Sequence, residues 1–161
     1  MSEILTVLKT TITMLSERGF PNQNCINLNS LPRYENLPLE SEEELKRFEE
    51  TLETKENYHN LVNYMKSLGG SFTKDAVKNC LKKFLDVELA AIYSPQGGNG
   101  KKKFTALKIH SAIIDAVKER LPGMATDAEM KKVIADFLRN APARAKQRRK
   151  LLEPNSELPG K

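Results

Sequence analysis

The sequence predicts an all-α protein: a compact bundle of about six helices with an N-terminal helical arm and a basic C-terminal extension. Three observations carry this. Apolar residues recur at steps of three and four through most of the chain, which is the helical period. No stretch alternates apolar and polar residues for the length of a strand. Only 6% of residues are aromatic and there is no Trp. The core therefore falls to Leu, Ile, Val, Ala and Met, which suits packed helices better than a β-sandwich.

Residues 3–18 read as a helix in which Leu5, Leu8, Ile12 and Leu15 form an a/d seam. Two heptads are too few for a stable isolated coiled coil, so the seam predicts either docking on the body or the stub of an oligomerising arm, residues 1–20. Gly19 and Pro21 stop it. An irregular connector, 21–40, follows, punctuated by Asn22, Asn24, Asn27, Asn29, Pro32, Asn36 and Pro38, with Leu37 and Leu39 placed to pin its end to the core.

The helical domain is expected over 41–142. Ser41 and Glu44 form a capping box for a helix that buries Leu45, Phe48 and Leu52. A second helix, 55–68, presents Leu61, Val62, Met65 and Leu68 on one face and ends at Gly69-Gly70. Thr73 is expected to cap a third, with Phe72 and Val77 as a hydrophobic staple and Val77, Cys80, Leu81, Phe84 and Leu85 buried. Asp86 restarts a short helix carrying Leu89, Ala90 and Tyr93. A flexible loop, Ser94 to Lys103, then leads into a helix over 104–121, broken by Pro122-Gly123. Thr126 and Glu129 form a second capping box for a helix burying Met130, Val133, Ile134, Phe137 and Leu138, which Ala141-Pro142 interrupts. Residues 143–161 read as a basic extension: a helix to about 152, then a disordered end.

No apolar run approaches the length of a membrane span, and the N-terminus lacks a signal-peptide layout, so membranes are not expected as partners. Cys25 and Cys80 have no short-range partner and read as reduced thiols. His59 and His110 are isolated, which predicts packing or exposure rather than metal ligation. Gly97 to Lys101 superficially resembles a phosphate loop, but Lys102 stands where Ser or Thr is needed, and a helix is expected before it where a phosphate loop follows a strand. The sequence thus predicts no enzyme, no cofactor, no metal and no small-molecule substrate.

Charge carries the functional expectation. Residues 1–93 have 11 basic and 14 acidic side chains, a net −3; residues 94–161 have 15 and 7, a net +8. The basic excess gathers at Lys101, Lys102, Lys103 and Lys108, and at Arg139, Arg144, Lys146, Arg148, Arg149 and Lys150. Such clusters neutralise phosphates and release counterions, so these ten residues are the expected contacts to a DNA or RNA backbone. Lys146-Gln-Arg-Arg-Lys150 also reads as a nuclear-import cluster, which predicts a nuclear location, with the cytoplasm also open. The alternative is a protein-interaction or oligomerisation adaptor acting through the Leu5/Leu8/Ile12/Leu15 seam.

Residues 41–145 and the segment just before them also carry a family pattern: Leu37-Pro38-Leu39, Glu42 to Phe48, Ser67-Leu-Gly-Gly70, Leu85-Asp-Val-Glu-Leu-Ala90 with Tyr93, the Gly-rich loop to Lys102 with Phe104 and Leu107, Ile113 with Asp115-Ala116-Val117, and Arg139-Asn-Ala-Pro-Ala-Arg144. This resembles a domain-of-unknown-function family of animal proteins, DUF4806-like, some of them transposon-associated; the resemblance implies domain limits more than an activity. Over about 80–140 the order of helix, Gly-rich loop and two helices is also similar to BEN domains, small helical DNA-binding modules. That resemblance implies that the later helices and the basic loop face DNA, and transfers no base-reading contact.

Overall fold

The structure, a computed structural model, describes residues 34–153. The arm 1–20 with its seam, Cys25, the connector before Tyr34, and the end of the extension beyond Glu153 lie outside the described residues.

The described chain opens on a 3-10 turn, Tyr34–Asn36, and reaches Leu39, whose amide donates to the Phe84 carbonyl while its own carbonyl accepts from Asp86, both at 2.9 Å. Leu39 is buried, so it pins the connector as its flanking position predicts. Six α-helices follow among the described residues: α1 (Glu42–Thr51), α2 (Lys55–Ser67), α3 (Thr73–Phe84), α4 (Val87–Ala91), α5 (Lys108–Arg120) and α6 (Asp127–Leu152). Helix α2 packs on α5, and α6 lies across α3 and α4. One apolar core runs through all of them, centred on Phe84, Phe104, Leu81, Ile113, Ile134 and Leu138. An all-α bundle of about six helices is thus what the chain forms. The one sheet among the described residues has two strands of two residues, β1 (Tyr93–Ser94) paired in parallel with β2 (Lys102–Lys103), so Tyr93 opens a strand where the sequence predicts it on the short helix.

The capping box at Ser41 forms in full: Glu44 N donates to Ser41 Oγ at 3.2 Å, and Glu44 Oε2 accepts from Ser41 N at 3.3 Å. At Thr126 one half is present, Glu129 N to Thr126 Oγ1 at 3.3 Å. Asp86 caps α4 by accepting from Glu88 N at 2.9 Å. Gly70 sits at φ +124°, and a Cβ there would lie 2.5 Å from Ala76 N. Only glycine fits this approach of the chain to the first turn of α3.

Four expectations need correction. Helix α3 starts one residue earlier than predicted: Phe72 is its N-cap, 64% exposed, and Thr73 is buried within the first turn. As the N-cap itself and largely exposed, Phe72 forms no staple. Residues 104–121 are not one helix; Phe104–Ala106 form a 3-10 turn, Leu107 is extended, and α5 starts at Lys108. Its first amides are captured from another helix: Glu49 of α1 accepts from Lys108 N at 2.6 Å and Ile109 N at 2.8 Å. The loop before it is a tight turn. Asn99 and Gly100 take φ +52° and +75°, and Gly98 and Lys101 exchange backbone hydrogen bonds of 3.2 and 3.0 Å, the Asn-Gly pattern of a type I′ turn.

Pro142, finally, does not interrupt the last helix: α6 runs through it to Leu152, so the basic residues 143–152 continue the same helix, with Ala141 and Ala145 fully buried. The proline lacks the N–H that the Leu138 carbonyl would receive. Burial of Ala141 before it and Ala145 after it holds the helix across the proline. Within the helix, Arg144 Nη2 also spans it, donating to the Phe137 carbonyl at 2.8 Å with its guanidinium 4.1 Å from the Phe137 ring centre.

Candidate nucleic-acid interface

The ten predicted contact residues do not form one patch. Five are met by carboxylates. Lys102 pairs with Glu42 at 2.6 Å, and Lys108 pairs with Glu53. Arg139 pairs with Asp136 at 2.9 Å, within one turn of α6. Arg148 reaches Asp86 at 2.5 Å, and Arg149 grips both oxygens of Glu88 at 2.9 Å. The last two pairs fasten the C-terminal part of α6 to the start of α4. Burial pushes the Asp86 carboxyl up, but the Glu88 N–H and the Arg148 guanidinium together outweigh it and hold the group below its usual range. The side-chain bond to Asp86 likewise raises Arg148.

Helical geometry sorts the rest. At 100° per residue, Lys132, Arg139, Lys146 and Lys150 fall within about 40° of one another on α6 and extend over about 27 Å. All four are exposed. Ala135, Pro142 and Ala143 lie among or beside them. Three acids flank the row: Asp136, already engaged by Arg139, and the exposed Glu129 and Glu153, each about a turn beyond one of its ends. Lys101 shares a cleft of about 410 Å³ with Arg139, walled by the Asn99-Gly100 turn on one side and Leu138 on the other. Lys101, Lys132, Lys146 and Lys150 have no carboxylate within ion-pair distance among the described residues, and nor does the exposed Lys103 beside the turn. The Ser94 hydroxyl in the cleft is buried and unpartnered.

Arg144 leaves this face altogether. It turns toward α3, where it shares a cleft of about 340 Å³ with Lys74 and Lys78. Sequence reading singled out neither lysine, nor Lys132. The signal for Lys132 was present: Lys132, Arg139 and Lys146 are spaced by seven, so they share a helix face once α6 is continuous through Pro142.

The residues set aside as chemically bland occupy bland positions. His59 is exposed beside Tyr58, and His110 is half-buried edge-on to Phe104 at 5.8 Å, its pKa lowered by burial and by Lys131. Burial pushes the Cys80 thiol up to about 12. Among the described residues no three His, Cys, Asp or Glu side chains gather as a metal site would need. Among the described residues no helix is long and apolar enough to cross a membrane.

The family described as a domain of unknown function (DUF4806) matches residues 35–116. The chain belongs to it. The DUF4806 match runs from the Tyr34–Asn36 turn through the Gly-rich turn and into α5. It contains Lys101, Lys102, Lys103 and Lys108 and leaves out all of α6. The pattern through Arg139 to Arg144 therefore extends past the DUF4806 match, although α6 completes the same core. Within DUF4806 limits, the residues that carry the resemblance mostly build the fold. Leu39 bridges to Leu85, Gly70 meets Ala76, Asp86 caps α4, and Tyr93 opens β1. No curated protein and no solved structure matches the chain.

Proposed function

We propose that this chain is a nucleic-acid-binding module, for DNA before RNA, that grips the phosphate backbone along the outer face of α6. The supporting observation is the exposed row Lys132, Arg139, Lys146 and Lys150, with Lys101 beside it and no carboxylate between its members other than Asp136, which Arg139 engages. Cations spaced along a rigid helix meet successive phosphates without reading bases. The reading is narrower than the ten-residue expectation, because Lys102, Lys108, Arg148 and Arg149 are drawn to Glu42, Glu53, Asp86 and Glu88. The similarity to BEN domains, with the Gly-rich turn and later helices toward DNA, fits this face. So does a nuclear setting in animal proteins, given the basic cluster 146–150.

Titrating a labelled duplex against the full chain tests it. Four to five phosphate contacts give a log–log salt slope of about −4 and a loss of at least about a hundredfold in affinity from roughly 50 to 200 mM salt. Lys132→Glu with Lys146→Glu and Lys150→Glu is expected to abolish binding while thermal unfolding stays in place. Salt-independent affinity, or a triple variant that binds like wild type, rules the reading out. A single-stranded RNA run alongside decides between the nucleic acids.

The Leu5/Leu8/Ile12/Leu15 seam supports a second reading, self-association through the N-terminal arm. Sedimentation that finds a monomer, unchanged when residues 1–20 are removed, excludes it.

A further inference from the structure

We propose that the cleft between α3 and α6 is a docking site for an acidic segment of a partner protein. Lys74 and Lys78 stand one turn apart on α3, and Arg144 faces them from α6. None of the three has a carboxylate within ion-pair distance among the described residues. The one acid lining the cleft, Asp136, is held by Arg139. The floor is apolar, formed by Val133 and Phe137.

Arg144 is the second observation. One arm of its guanidinium is committed to the Phe137 carbonyl and its plane lies on the Phe137 ring, so its orientation is set. Its Nε is buried and has no hydrogen-bond partner. A buried donor left unmet costs free energy that an arriving acceptor recovers. An oriented arginine flanked by two lysines over an apolar floor matches a carboxylate next to an apolar side chain, the composition of an acidic amphipathic peptide. The volume, about 340 Å³, accommodates a few side chains.

Charge complementarity alone would also admit a phosphate backbone. One feature favours a peptide: the apolar floor of Val133 and Phe137, which a sugar-phosphate chain does not fill. The cleft also lies roughly 130° around α6 from the Lys132–Lys150 row. A duplex seated on that row leaves it open, so the chain would join a nucleic acid on one flank to an acidic protein on the other. The cleft does not depend on the nucleic-acid reading, and the two can fail separately.

The test uses the full chain and a fluorescein-labelled peptide of about twelve residues alternating Glu with Leu or Phe. Binding is expected in the micromolar range, weakened at least about tenfold by Lys74→Glu with Lys78→Glu and left within about twofold by Lys132→Glu with Lys146→Glu. Lys74→Gln with Lys78→Gln repeats the measurement should the charge reversal disturb folding. Amide shifts of Val133, Phe137 and Asn140 on peptide addition place the contact. Failure of the peptide to bind, equal binding by the Lys74/Lys78 variants, or amide shifts elsewhere overturns the proposal. So does a result in which those variants lose duplex affinity instead, which assigns the cleft to nucleic acid.

Discussion

Gly70 shows how much of this fold rests on single positions. Its φ of +124° is unfavourable for any side chain, and its Cα sits where a methyl group would strike the Ala76 backbone. Gly70→Ala is expected to cost about 2–4 kcal/mol, from a strained dihedral together with a backbone clash, read as a shift in the urea midpoint with an unchanged slope. Asp86 is the second such residue. Asp86→Ala removes the α4 cap and the Arg148 partner and should cost about 1–2 kcal/mol, whereas Asp86→Asn keeps a capping oxygen and should cost less. Because the folded-state carboxyl is held below its ordinary value of 3.8, its stabilising contribution is complete above that pH. It is lost as the pH falls through the folded-state value. Urea titrations on the acid side should therefore show the gap between wild type and Asp86→Asn closing as the pH drops. A gap that stays constant would mean the charge contributes nothing.

At the scale of elements, two helices depend on groups supplied from elsewhere. Helix α5 has no side-chain cap of its own, and Glu49 of α1 serves its first amides across a separation of about sixty residues. Helix α6 carries Pro142 in its interior, which in isolation costs about 3 kcal/mol. Pro142 is exposed, so restoring the missing N–H is expected to stabilise: Pro142→Ala should raise stability by about 1–3 kcal/mol, measured by denaturant unfolding. A destabilised variant would show instead that the packing of Ala141 and Ala145 requires the bend a proline imposes.

For the whole molecule, the consequence is that the basic C-terminal part of α6 belongs to the core. Ala145 is fully buried, and Arg148 and Arg149 tie the helix to α4. Deleting residues 143–161 is expected to lower the melting temperature by roughly 5 °C or more, since a loss of about 1 kcal/mol already shifts a domain of this size by several degrees. A dispensable extension would leave it unchanged. The same deletion therefore cannot serve as a clean test of polyanion binding, and the charge-reversal variants on the α6 face are the better instrument.

Helices, caps and core residues were legible in the amino-acid order because they depend on neighbours within about a turn. Ser41 with Glu44 and the apolar face of α3 express three- and four-residue spacing, and the Asp86 cap reaches only two residues on, to Glu88. The functional face was legible only in part. That basic residues accumulate after position 94 is a property of the sequence alone. Which of them remain free was decided by the tertiary structure, because Glu42, Glu53, Asp86 and Glu88 lie some fifty to sixty positions from the cations they meet. Continuity through Pro142, which aligns Lys132, Arg139 and Lys146, and the turn of Arg144 toward Lys74 and Lys78 are likewise products of packing. Ion pairing and burial act through space, and their range along the chain is set by the fold.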